Sequence, residues 1–84
     1  MTVTYQTNVL DQTYNGWTNY ETWNVALWIQ NDQSIYHAAK YDVTSYQQLV
    51  QMLYDCGSTE TRDGCRWDDP KIDGLAINAM ISDL

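Results

Sequence analysis

Phenylalanine is missing from this 84-residue chain, proline occurs once, and the four glycines stand singly. Scattered glycines exclude a glycine-rich loop able to cradle a phosphate. Without phenylalanine every ring is an indole, a phenol or the one imidazole, so each carries a polar atom that wants a partner. The expected core is small, with several rings half in and half out. Basic side chains are also scarce: four stand against eleven acidic ones, a formal net charge of -7. That balance disfavours phosphate backbones and anionic membranes as direct ligands. It suits a basic protein surface, towards which long-range attraction speeds encounter, or it does no more than maintain solubility. No stretch approaches the ~18 consecutive apolar residues of a membrane span. The opening "MTVTYQTNVLDQTYNG" lacks the cationic head and apolar run of a secretory signal. The expected location is the cytoplasm. Cys56 and Cys65 are then free thiols, although a bridge closing that short loop is feasible in an oxidising compartment.

What the chain does have is aromatic weight. Three of its four tryptophans and two of its seven tyrosines fall in the fifteen residues "YNGWTNYETWNVALW", Tyr14 to Trp28. A chain this short holds one domain and buries a modest share of its surface. Trp and Tyr, each removing roughly 150–250 Å² from water, answer that shortage.

Residues 1–16 are rich in Thr, Asn and Gln, with a brief alternation through Val3, Tyr5 and Val9; they read as an extended arm ending at the Asn15-Gly16 turn signal. Residues 17–84 read as a single helical domain. Thr18 and Glu21 make a capping-box pattern, predicting a helix from there to about Asn31 with Tyr20, Trp23 and Leu27 along one face. Val25, Ala26 and Ile29 cover much of the rest, so this helix is expected to be central. Asn24 stands out among them, and is expected to bond an indole, a phenol or nearby backbone. A second start lies at Asn31 or Asp32, with Ile35, Ala38 and Ala39 inward. Thr44 and Gln47 suggest another capping box, followed by Tyr46, Leu49, Val50, Leu53 and Tyr54 at helical spacing and closed by Gly57. Residues 58–68 read as a loop turning at Asp63-Gly64 and tied to the core by Trp67. Asp69 as cap and Pro70 at the first helical position predict a last helix with Ile72, Leu75, Ala76, Ala79 and Met80 in one stripe, weakened at Gly74. The fold class is all-α, a compact bundle of about four short helices.

"NGWTNYETWNVALWIQND" together with "RDGCRWDDPKID" resembles a family of small acidic proteins found in bacteriophages, cyanophages among them, and in some bacteria. The resemblance covers nearly everything after the arm and lends no catalytic residues. It implies a phage or mobile-element setting, where small acidic non-enzymatic proteins resemble inhibitors of host machinery, including anti-restriction and anti-CRISPR proteins.

Catalytic chemistry finds little to stand on. His37, Cys56 and Cys65 match no common zinc spacing and lack a second His. No nucleophile and base are placed together by the sequence, and Asp68 beside Asp69 reads as a helix opening rather than an acid–base pair. No catalytic residue, metal or cofactor is expected. The functional candidates are Glu60, Asp63, Asp68, Asp69 and Asp73, five carboxylates within fourteen residues around Trp67. An acidic rim about an aromatic anchor suits docking into a basic groove on a host protein. Arg62, Arg66 and Lys71 dilute that field, and a solvated loop with internal ion pairs is the plainer reading. Direct nucleic-acid and membrane binding are not expected. A DNA mimic would need its carboxylates in regular rows, whereas these gather at helix caps. The alternative is a structural or self-associating protein, a homodimer through Trp17, Tyr36 or Tyr41.

Overall fold

The computed structural model describes residues 16–84. The expected arm, residues 1–16, lies outside them except for Gly16. The described chain is all-α. Helix α1 spans Tyr20–Asn31, α2 spans Gln33–His37 and runs on as a π-helical turn, Ala38–Asp42. Helix α3 spans Tyr46–Asp55 and α4 spans Gly74–Ser82.

Asn19, rather than Thr18, caps α1. Its Oδ1 accepts from the Thr22 N–H at 2.9 Å and the Thr22 hydroxyl at 2.6 Å. Thr18 is drawn away because its hydroxyl donates to Asp73 Oδ2 at 2.7 Å. The buried side of α1 is Thr22, Val25, Ala26 and Ile29, whose spacing of three and four residues is one helical stripe. Tyr20 is exposed and Trp23 and Leu27 are half-buried, so the expected face is rotated away from the packed one.

Asp32 caps α2, its Oδ1 accepting from Ser34 N and Ile35 N. Ser45 caps α3, and Gln48 Oε1 reaches back to the Thr44 N–H at 2.8 Å. The cap and the Gln stand one residue later than expected, and the Gln48 side chain bonds the amide before the cap rather than the cap's own, so the expected capping box is only half formed. A second donor at that end, Tyr46 N–H, is taken by Asn78 Oδ1 of α4 at 2.7 Å. The far end closes as expected. Gly57 sits at φ +89°, and the Gly57 and Ser58 amides donate to the carbonyls of Tyr54 and Leu53, a Schellman closure.

The last helix begins later than expected. Asp69 caps a turn, accepting from Lys71 N–H at 2.8 Å, and Asp73 caps α4 by accepting from Ala76 N–H. The frame of the helix moves with its start: Ile77 and Ile81 are buried, while Leu75 is 82% exposed. Gly74 is the first helical residue with no atom within 4 Å of where a Cβ would stand, so it meets neither an interior penalty nor a close neighbour.

Helix α4 touches α1, α3 and the π-helical turn, whereas α1 packs on α2 and α4. Among the described residues α4 and the π-helical turn, which touches α2, α3 and α4, therefore join the elements, rather than α1. The core combines Val25 and Ile29, Leu49, Ile77 and the indole of Trp67, all at most 1% exposed. Trp17 and Trp28 pack on its margin half-buried.

Candidate functional site

Residues 58–73 hold all six candidate side chains, and their backbone is more ordered than a plain loop. Glu60 and Arg66 form an isolated antiparallel bridge, Thr61 N–H donates to Cys65 O at 2.8 Å, and Gly64 turns the chain at φ +87°. The result is a miniature hairpin. Its buried Thr61 hydroxyl donates to Asn24 Oδ1 at 2.7 Å and accepts from the Asp63 and Cys65 amides. Asn24, fully buried on α1, also donates through Nδ2 to Asp63 Oδ2 at 2.7 Å, the oxygen that takes the Trp28 indole N–H at 2.9 Å. The partners of Asn24 are thus a hydroxyl and a carboxylate from the hairpin, not the indole, phenol or nearby backbone expected. These two donors, Asn24 first, hold Asp63 below the usual carboxylate range.

Trp67 corrects a second expectation. Its side chain is 1% exposed, with the indole N–H on Ser58 Oγ at 3.0 Å and its carbonyl accepting from the Tyr46 hydroxyl at 2.5 Å. It ties the hairpin to α3, as the sequence indicated, and so cannot insert into a partner. Burial raises the Tyr46 phenol well above its ordinary pKa.

The carboxylates divide. Asp73 is occupied at a node where the N-termini of α1 and α4 meet. It accepts from Thr18 and Ala76 N–H, its own N–H donates to Thr22 Oγ1 at 2.9 Å, and Asn19 Nδ2 donates to Lys71 O at 2.7 Å. Thr18 above all, then the Ala76 amide, lowers the Asp73 pKa. A carboxylate there also faces the positive ends of two helix dipoles. Glu60 lines a small depression of about 130 Å³ with Trp28, Asp32, Ile35, Ser58, Thr61, Arg62 and Trp67.

Asp68 and Asp69 lie elsewhere, in the lining of an open groove of about 480 Å³. Tyr46, Gln47 and Val50 of α3 form one wall, and Trp67 and Ile72 complete its lining. Asp68 pairs with Arg66 Nε at 3.0 Å, both side chains being about half exposed, and Arg66 also donates to the Tyr54 hydroxyl at 3.0 Å. Hydrogen bonds from Arg66 first, then Tyr54, hold Asp68 below its usual range. Sequence reading missed Tyr46, Gln47, Val50 and Ile72 as groove residues. The available signals were Val50 widening the α3 stripe beyond Leu49 and Leu53, and Ile72 standing apolar between Lys71 and Asp73.

His37 is exposed, its ring 4.8 Å from that of Tyr41. Both cysteines are free, Cys56 exposed and Cys65 buried, and burial pushes the Cys65 thiol up to about 11. Among the described residues no three His, Cys, Asp or Glu side chains gather as metal ligands. No helix among them is long and apolar enough to cross a membrane.

Residues 10–84 match the family of unknown function DUF7249. The chain belongs to that family. Comparison with curated proteins and with solved structures returned no match. The DUF7249 match spans both helical ends of the node, the hairpin and the groove.

Proposed function

We propose that this chain is a non-enzymatic protein-binding module that occupies a basic surface on another protein, and that it is a phage or mobile-element product inhibiting a host factor in the host cytoplasm. The observation that carries the binding reading is the groove whose lining joins Val50 and Ile72 with Asp68 and Asp69. A surface groove that sets apolar side chains beside carboxylates suits a protein contact, and a net charge of -7 draws it towards basic partners. The inhibitory part of the reading rests on the resemblance of "NYETWNVALW" and its surroundings to small acidic phage proteins. The non-enzymatic part draws support from one of the two thiols. Cys65 is buried and held protonated, the wrong form for a nucleophile.

The test is affinity capture from a bacterial lysate by the immobilised chain, at low and at high salt, beside the charge-reversed Asp68→Lys, Asp69→Lys double variant. A basic protein held at low salt, released by high salt and lost by the variant is the expected result. No salt-sensitive capture overturns the reading. Asp63 and Asp73 are unsuitable for charge reversal because each carries hydrogen bonds that hold elements together.

A second reading, self-association, is favoured by Tyr41. It is 64% exposed, and Lys40 lies 5.4 Å from its ring centroid and 5.8 Å from that of Tyr36. Trp17, the other candidate, packs on the core. Sedimentation over a range of concentrations decides: a constant monomer mass removes this reading.

A further inference from the structure

We propose that the groove between α3 and residues 67–72 receives an arginine side chain, carried on an apolar stretch of the partner. This inference rests on the reading of the chain as protein-binding and names what that site takes. Three observations converge on a guanidinium. The lining includes two adjacent carboxylates, Asp68, already paired with Arg66 from outside the groove, and Asp69, and no cation. Half-buried Val50 and Ile72 give the lining its apolar part, which matches an arginine stem better than a compact ammonium because the stem lies along apolar surface while its planar fork reaches out. Finally, the chain already shows the chemistry at this edge: Arg66 bonds Asp68 and the Tyr54 hydroxyl. Arg66 reaches both Asp68 oxygens, at 3.0 and 3.4 Å, so an incoming fork competes with Arg66 at Asp68 and finds Asp69 the more open acceptor. Asp69 gives one oxygen to the Lys71 amide, and its other oxygen has no hydrogen bond among the described residues. The volume, about 480 Å³, exceeds one side chain and leaves room for an apolar neighbour against Val50 and Ile72.

The probe is an acetylated leucine–arginine–leucine amide, titrated into the full ¹⁵N-labelled chain, with the glutamate-centred peptide as control. The expected result is a set of amide shifts confined to Gln47, Val50 and residues 67–72 with the arginine peptide, absent with the control. Asp68→Asn with Asp69→Asn, which keeps acceptors for Arg66 and for the Lys71 amide, weakens the arginine peptide at least tenfold. Val50→Lys, placing a cation in the groove, abolishes the shifts while the spectrum stays dispersed. No shifts at millimolar peptide, shifts elsewhere, or equal shifts with the control overturn the proposal. Salt-sensitive capture of a basic protein that survives Asp68→Asn, Asp69→Asn and Val50→Lys would leave the protein-binding reading standing and remove the groove.

Discussion

At the residue scale, Asn24 decides more than any tryptophan of α1. It is fully buried, and its two side-chain bonds reach Thr61 and Asp63 across 37 and 39 positions of sequence. Asn24→Ala removes both and leaves the hydroxyl proton of Thr61, a residue 3% exposed, without its acceptor. The expected loss is about 2–3 kcal/mol, read as a lower urea midpoint at unchanged slope; a loss below about 0.5 kcal/mol would show that water replaces the amide. Asp63 brings a pH dependence with it. Its folded pKa lies below the ordinary 3.8, so the stabilisation is fully present above that value and is lost as pH falls through the lowered folded pKa. Urea midpoints measured from neutral pH down into that acid range are expected to fall for the native chain and to fall less for Asp63→Asn, whose amide oxygen still accepts. Parallel slopes would refute the assignment. The polarity of Asn24 was conspicuous in the sequence. Its partners were not, because a one-dimensional reading supplies near neighbours and these lie in another element.

At the element scale, the number and type of helices were legible from caps and periodicity, while their frames were not. Thr18 and Thr44 each stand one residue before the true cap because Asn19 and Ser45 offer competing acceptors at the next position. The choice is made by Asp73 and by Gln48, which engage the two threonines instead. The displacement is largest in α4. Pro70 suits a first helical turn, but the Asp73 amide is held by Thr22, so the helix starts from Asp73 and the stripe turns with it. Leu75→Ala is therefore expected to change stability by less than about 0.5 kcal/mol, and Ile77→Ala to cost about 2–5 kcal/mol. Thermal unfolding of the two variants side by side checks this. A comparable loss at Leu75 would place it in a packed interface. The groove was half legible: Asp68 and Asp69 were visible as charge, whereas Val50 and Ile72 become its lining only when α3 meets the segment before α4.

At the scale of the whole molecule, a net charge of -7 on 84 residues is self-repulsive. Few internal cations offset it. Arg66 with Asp68 and Lys71 with Glu21 at 4.0 Å are exposed or stretched pairs, of a kind worth about 0–1 kcal/mol. Added salt screens the repulsion more than it weakens such pairs, so the melting temperature is expected to rise with sodium chloride at neutral pH. A fall would mean that the ion pairs outweigh the repulsion. The miniature hairpin bears on degradation. Arg62, at its tip, is exposed and is a trypsin target, yet a protease needs several residues drawn out straight, and here the flanking Thr61 and Asp63 are clasped to α1. Nicking after Arg62 should follow the equilibrium population of opened molecules, so the cleavage rate of native chain and Asn24→Ala becomes a direct gauge of how often that clasp lets go. Rapid cutting of the native chain at this bond would show that the tip frays independently of the core.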